Sequence, residues 1–164
     1  MGVRDGLGPA PREAMEPAGR LLARRARSED ELASRLAAAG HGDEAIAATL
    51  GRLRRLGLVD DRAFAREYVA GRLRRSARGS AALRTELARH GVAPAAADDA
   101  VNEAAGDEEQ RAIELAVELA ARLPEGLSLR VRAGRLGRRL AVRGFSEEVV
   151  ESALRAALPP EGWD

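Results

Sequence analysis

Cysteine and lysine are both missing from this chain of 164 residues, and aromatic side chains make up only 2% of it. Without cysteine there is neither a disulfide framework nor a thiolate metal site, and an intracellular chain is the simplest expectation. No uninterrupted apolar run approaches the ~20 residues of a membrane span. Residues 1–16 hold Arg4 and Arg12 but no apolar h-region, so they do not read as a signal peptide, and a cytoplasmic location is expected. Phe64, Tyr68, Phe145 and Trp163 are too few for single-strand binding by base stacking, and the first three read as core. The two histidines, His41 and His90, each lie beside a helix-ending glycine. There is no phosphate loop of Walker or Rossmann spacing and no nucleophile elbow. Asp60-Asp61 could pair on a metal, but a helix N-cap requires only one of them and no ion. No enzyme, no cofactor and no metal site is therefore expected.

What the chain does have is a repeat. Leu32, Leu36 and Gly40 stand in the spacing Leu-x3-Leu-x3-Gly, which returns at Leu83, Leu87, Gly91 and at Leu136, Leu140, Gly144. The offsets are 51 residues (83 minus 32) and 53 residues (136 minus 83). Leucines at i and i+4 share one helix face, and a glycine four residues on supplies the left-handed residue that ends the helix. Six residues after each glycine stand Ile46, Ala97 and Val150, and ten after stand Leu50, Val101 and Leu154. Each copy thus reads as helix, turn, helix, and a period near 50 residues implies a short array of like units. Hydrophobic residues are 45% of the chain, with alanine prominent, so the core is one of small side chains between close helices.

In order along the chain, residues 1–15 read as a disordered leader and residues 16–57 as a first three-helix unit. Its first helix is expected from about Pro17 to Arg27. Ser28 then caps a helix with Glu31 completing a capping box, and Asp43 opens a third that runs to Leu56-Gly57. A second unit, 58–106, opens at Leu58-Val59-Asp60-Asp61 with an Asp cap, continues through Phe64 and Tyr68, and has Ser80 as the cap of its middle helix and Pro94 at the start of its last. A third, 107–158, has Ser128 and Ser146 as caps, and Pro159-Pro160 begins a tail over 159–164. No stretch alternates with period two. The expected fold is all-α: three tandem three-helix repeats in an elongated, curved array.

The net charge is +1, with 27 basic residues, all arginine, against 26 acids. A GC-rich genome favours arginine codons, so the lack of lysine alone says little. Position says more. Acid-free blocks hold Arg20, Arg24, Arg25, Arg27; then Arg72, Arg74, Arg75, Arg78, Arg84; then Arg130, Arg132, Arg135, Arg138, Arg139, Arg143. Between Arg89 and Arg111 the sign reverses, with Asp98, Asp99, Glu103, Asp107, Glu108 and Glu109 unopposed along the chain. Any one block can be a solvated helix face. Stacked, the three could merge into a basic stripe that attracts phosphate or an acidic protein groove. A tandem helix-turn-helix reader would place the last helix of a unit in the major groove. Here those helices begin Asp43-Glu44, contain Asp98-Asp99 and begin Glu147-Glu148, which disfavours base readout.

The run Leu53-Arg54-Arg55-Leu56-Gly57-Leu58-Val59-Asp60-Asp61-Arg62-Ala63-Phe64-Ala65-Arg66-Glu67-Tyr68 resembles the signature of the bacterial RecX regulatory proteins. Leu21-Leu22-Ala23-Arg24-Arg25, Ser28-x-x-Glu31-Leu32 and Leu83-x-x-Glu86-Leu87-x-x-x-Gly91-Val92 fit as well, so the resemblance covers roughly residues 17–157. Many relatives have Arg-Phe-Ala where this chain has Arg62-Ala63-Phe64-Ala65, and a glycine-rich turn where it has Ser76-Ala77-Arg78-Gly79. The resemblance implies a non-enzymatic regulator, monomeric, that lies along the RecA–DNA filament and inhibits its extension, ATP hydrolysis and strand exchange. Arg24, Arg25, Arg72, Arg75, Arg78, Arg135, Arg138 and Arg139 are the expected contacts to filament or DNA phosphate. The alternatives are a trihelical DNA-binding transcription regulator and a helical adaptor for another acidic partner.

Overall fold

Buried leucines at the repeated spacing organise the chain. The computed structural model describes residues 11–159, and among them every regular element is helical. The helices are α1 (Pro11–Arg24), α2 (Glu29–Ala38), α3 (Asp43–Arg55), α4 (Asp61–Arg75), α5 (Ser80–Arg89), α6 (Pro94–Ala104), α7 (Glu108–Ala121), α8 (Leu129–Val142) and α9 (Glu147–Ala157). A 3-10 turn, Ala105–Asp107, joins α6 to α7. Leu32, Leu36, Leu83, Leu87, Leu136 and Leu140 are all fully buried. Each is worth about 1.5–3 kcal/mol of apolar burial. Gly40, Gly91 and Gly144 have φ of +92°, +72° and +86°, as the end of each middle helix requires. The residue after each glycine donates its N–H back to the second leucine: His41 to Leu36, Val92 to Leu87, Phe145 to Leu140. The hydrophobic side chains gather into three clusters, on α1–α3, α4–α6 and α7–α9.

Two expectations need correction. Helix α1 runs from Pro11 to Arg24, not from Pro17 to Arg27, so the leader assigned to 1–15 overlaps it. Ala14 and Ala18 are one turn apart and both fully buried, and this stripe of small side chains carries the helix through Pro17. The rest of that leader and the tail beyond Pro159 lie outside the described residues. Ser28, Asp60, Ser128 and Ser146 cap as expected, each side chain accepting a backbone N–H of the first turn. Ser80 does not cap. Gly79 holds the N-cap position, and Ser80 is the first helical residue. Its N–H donates 2.8 Å to Glu108 Oε1 and its Oγ 2.5 Å to Glu108 Oε2, so a carboxylate from the next unit closes this helix end.

The same docking occurs one unit earlier. The Glu29 N–H, first in α2, donates 2.9 Å to Asp61 Oδ1, while neighbouring Asp60 caps its own helix α4. Asp61 and Glu108 are each the first residue of the following unit's first helix. The corner that ends each following middle helix completes the contact: Ser28 Oγ donates to the His90 carbonyl, and the Gly79 N–H donates 2.9 Å to the Arg143 carbonyl. Burial, followed by the nearby carboxylates of Glu29, Asp60 and Asp30, pushes the Asp61 carboxyl above its usual range, against the lowering from the Glu29 N–H. A raised carboxyl value means that the ionised form opposes folding at neutral pH, and that stability returns as pH falls through it. Asp61→Asn keeps an acceptor without the charge and should leave the neutral-pH melting temperature unchanged or higher. Asp61→Ala removes the acceptor and should cost about 1 kcal/mol, read by urea unfolding.

Candidate nucleic-acid interface

Arg135, Arg138 and Arg139 lie at i, i+3 and i+4 on α8, so they leave one face of the helix together. All three are exposed, while Leu136 and Leu140 on the other side of the helix are fully buried. Among the described residues none of the three makes an ion pair. They form one wall of a cleft of about 640 Å³ whose other arginines are Arg122, at the end of α7, and Arg143, at the end of α8. Its apolar lining is Leu119, Leu123, Pro124 and Val142. Among the described residues no carboxylate lines it. Arg122 Nη2 does meet Glu118 Oε1 at 2.6 Å, but both side chains are well exposed, and a pair of that kind contributes little. Val142 stands 83% exposed beside the guanidinium groups.

Such a cleft concentrates positive potential beside an apolar lining. Guanidinium groups offer forked donors that match phosphate oxygens two at a time. A phosphodiester backbone fits this arrangement. Arg122 and Arg143 also line an adjoining cleft together with Arg75, so the basic surface continues from the third unit to the end of α4. Glu114 and Glu118 line that second cleft too, so it is of mixed charge.

The other expected contacts separate. Arg72 is turned inward: Nε and Nη2 grip Glu86 at 2.6 and 2.8 Å, and Tyr68 Oη donates to the same carboxylate at 3.0 Å. Arg78 Nε stands 3.7 Å from Glu86. The Arg72 bridge, opposed by burial, holds the Glu86 carboxyl below its usual range, and Glu86 in turn raises Arg72. Arg72 is thus engaged within the second unit, while Arg78, partly exposed, lines a cleft with Arg89, Val142 and Gly144 at the junction with the third unit. Arg25 meets Glu31 at 3.0 Å, and Glu31 also reaches His90 Nδ1 at 2.5 Å. The His90 ring packs edge-on against Tyr68 and Phe64, with centroids 4.8 and 5.6 Å away, so it belongs to the junction of the first two units. Burial opposes ionisation of Glu31, but the hydrogen bonds from His90 and Arg25 prevail and its carboxyl is held low. Arg24 is exposed at the end of α1, away from the α8 cleft.

Four of the six acids that stand unopposed in sequence find partners in space. Asp98 pairs with Arg84 at 2.7 Å and Asp99 with Arg62, while Glu108 closes α5 and Glu109 accepts from Ser152. Asp43, Glu44, Glu147 and Glu148, in the first turns of α3 and α9, are exposed and repel phosphate there, and Asp98 and Asp99 on α6 are exposed but paired with arginine. Sequence reasoning passed over Arg122 and Val142. Arg122 comes from a different helix and Val142 reads as an ordinary apolar residue, and only packing puts them beside Arg135 and Arg139.

Two family descriptions match the chain: "RecX, first three-helix domain" over residues 14–53 and "RecX, second three-helix domain" over residues 60–101. The regulatory protein RecX of Chromohalobacter salexigens is 42% identical over 139 residues, 84% of this chain and 88% of that protein. The regulatory protein RecX of Streptomyces coelicolor is 33% identical over 161 residues, 96% of this chain and 86% of that one. Among solved structures, RecX from Lactobacillus salivarius superposes with a TM-score of 0.83 over 90% of this chain and 96% of its own, at 21% identity. That last likeness is one of fold.

Proposed function

The chain belongs to the RecX family, and on that premise we propose that it regulates RecA by binding the RecA–DNA filament and inhibiting its extension, ATP hydrolysis and strand exchange. The observation that carries this reading is the acid-free cleft of Arg122, Arg135, Arg138, Arg139 and Arg143. In this reading the cleft holds phosphate, and Arg75 extends the track toward the second unit. No bond is made or broken; the effect is exerted by occupancy of the filament. A transcription regulator built from the same units is disfavoured by the exposed acids on α3, α6 and α9, the helices that would read bases.

Sub-stoichiometric protein should slow RecA ATP hydrolysis on single-stranded DNA. Replacing Arg135, Arg138 and Arg139 together with alanine should leave the melting temperature unaltered, since all three are exposed and make no ion pair among the described residues. Binding should weaken about equally for every DNA sequence, and the salt slope should fall by roughly 2 to 2.7, that is 0.7 to 0.9 for each lost phosphate contact. A triple variant that inhibits RecA as well as the parent at every salt concentration would place the phosphate contacts elsewhere. Sequence-selective duplex binding with no effect on RecA would replace this reading with the transcriptional one.

A further inference from the structure

Outside the lining of the arginine cleft, the corner between α3 and α4 carries Leu56 and Leu58, which are 56% and 57% exposed. Their neighbours Leu53 and Val59 are buried, so the local packing is complete without them. Turn chemistry does not require them either. The corner closes through backbone alone, with Gly57 at φ +67° and the Leu58 N–H donating 2.9 Å to the Leu53 carbonyl. The corners that end the middle helices close in the same way, with partly buried His41 in the first unit and buried Val92 and Phe145 in the later two. The later two press on the preceding unit, where a Cβ on Gly91 would meet Asp30 and one on Gly144 would meet Ala82. A Cβ on Gly57, like one on Gly40, would meet no described atom. The connection from α6 to α7, which joins the second unit to the third, is made by Ala-Gly-Asp with no large apolar side chain.

Two leucines on an open corner lose apolar contact with water only when something else covers them. The charges around them are mixed, but the acids of the adjoining cleft are engaged within the chain: Asp60 caps α4, Asp61 accepts from the Glu29 N–H, and the Glu29 carboxylate holds Arg54. Arg52 and Arg55, in the last turn of α3, are exposed and make no ion pair among the described residues. Arg54, between them, is held by Glu29 at 2.8 Å. We infer that the Leu56–Gly57–Leu58 corner is a protein-docking knob, which seats in an apolar pocket rimmed by carboxylates on a partner protein, with Arg52 and Arg55 meeting the rim. Nucleic acid does not fit the knob, because its two leucines offer phosphate no donor. This rests on the reading of the chain as a filament regulator, in which the partner is a filament protomer and the knob and the α8 cleft divide the work. The knob holds protein, and the cleft holds phosphate.

The full-length Leu56→Ser/Leu58→Ser variant tests this, beside the parent and the Arg135/Arg138/Arg139 alanine variant. Each is titrated against naked single-stranded DNA and against RecA filaments on the same DNA. The expected result is an unchanged melting temperature, naked-DNA affinity within about twofold of the parent, and filament affinity reduced roughly 30-fold. Arg52→Glu/Arg55→Glu should weaken filament binding as well, most at low salt. A folded leucine variant that binds filaments like the parent overturns the knob alone and leaves the filament reading standing. A parent that shows no preference for filaments over naked DNA removes both. Concentration-dependent dimers of the parent that vanish in the leucine variant, seen by sedimentation velocity, overturn the docking partner proposed here in favour of a second copy of the chain.

Discussion

Gly79→Ala should destabilise the chain by about 3 kcal/mol or more, at or above the upper end of the usual cost of overpacking. The added Cβ would lie 2.1 Å from the Gly144 carbonyl oxygen and 2.3 Å from the Phe145 nitrogen. Both are backbone atoms, so no side chain can swing aside. The backbone angles are not the obstacle, since Gly79 sits at φ −83°, ψ 159°, where any residue is at ease. The strain instead falls on the junction of the second and third units, and the bond from the Gly79 N–H to the Arg143 carbonyl breaks with it. Urea unfolding followed by circular dichroism should show the midpoint falling, with the third unit melting ahead of the rest. Gly19→Ala is the control: its Cβ meets nothing, and alanine in a helix interior gains about 0.5–1 kcal/mol over glycine. Equal effects at the two positions would mean that the junction yields without cost.

Glu86→Gln should cost about 2 kcal/mol. Glu86 is the common partner of Arg72, Tyr68 and, at longer range, Arg78, and Arg72 is only about a quarter exposed. Removing one partner of a buried pair costs about 3–5 kcal/mol, and the remaining solvent access of Arg72 reduces that. The pH dependence follows from the direction of the shift. The Glu86 carboxyl is lower in the folded chain than in the unfolded one, chiefly through the Arg72 bridge. Its stabilisation is therefore complete above the ordinary glutamate value of about 4.3 and is lost as pH falls through the lower folded value. Glu31, also held low, adds to the same loss. The parent melting temperature should drop steeply below about pH 4, and the glutamine variant should show a shallower drop from a lower plateau. Parallel curves for the two proteins would assign acid unfolding to other carboxylates.

The sequence by itself determined the helices, their order and the three buried leucine pairs. Those features are local: side chains four apart share a face whatever surrounds them, and a glycine at the end of that face has the left-handed conformation to itself. Four of the expected caps hold for the same reason, because a serine or aspartate reaches N–H groups two or three residues ahead. Ser80 and the start of α1 depended on more. The end of α5 is closed by Glu108, 28 residues away, and α1 continues through Pro17 because Ala14 and Ala18 find a buried place. The arginines divide in the same manner. A guanidinium on its long stem reaches any carboxylate that folding brings near, so Arg72 is held by Glu86 while Arg135, Arg138 and Arg139 meet no carboxylate among the described residues. Nothing in the local pattern of the three blocks distinguishes them. Only the tertiary structure sets Arg122 from α7 opposite α8 and leaves Leu56 and Leu58 uncovered, because both depend on which surfaces meet after the helices have formed.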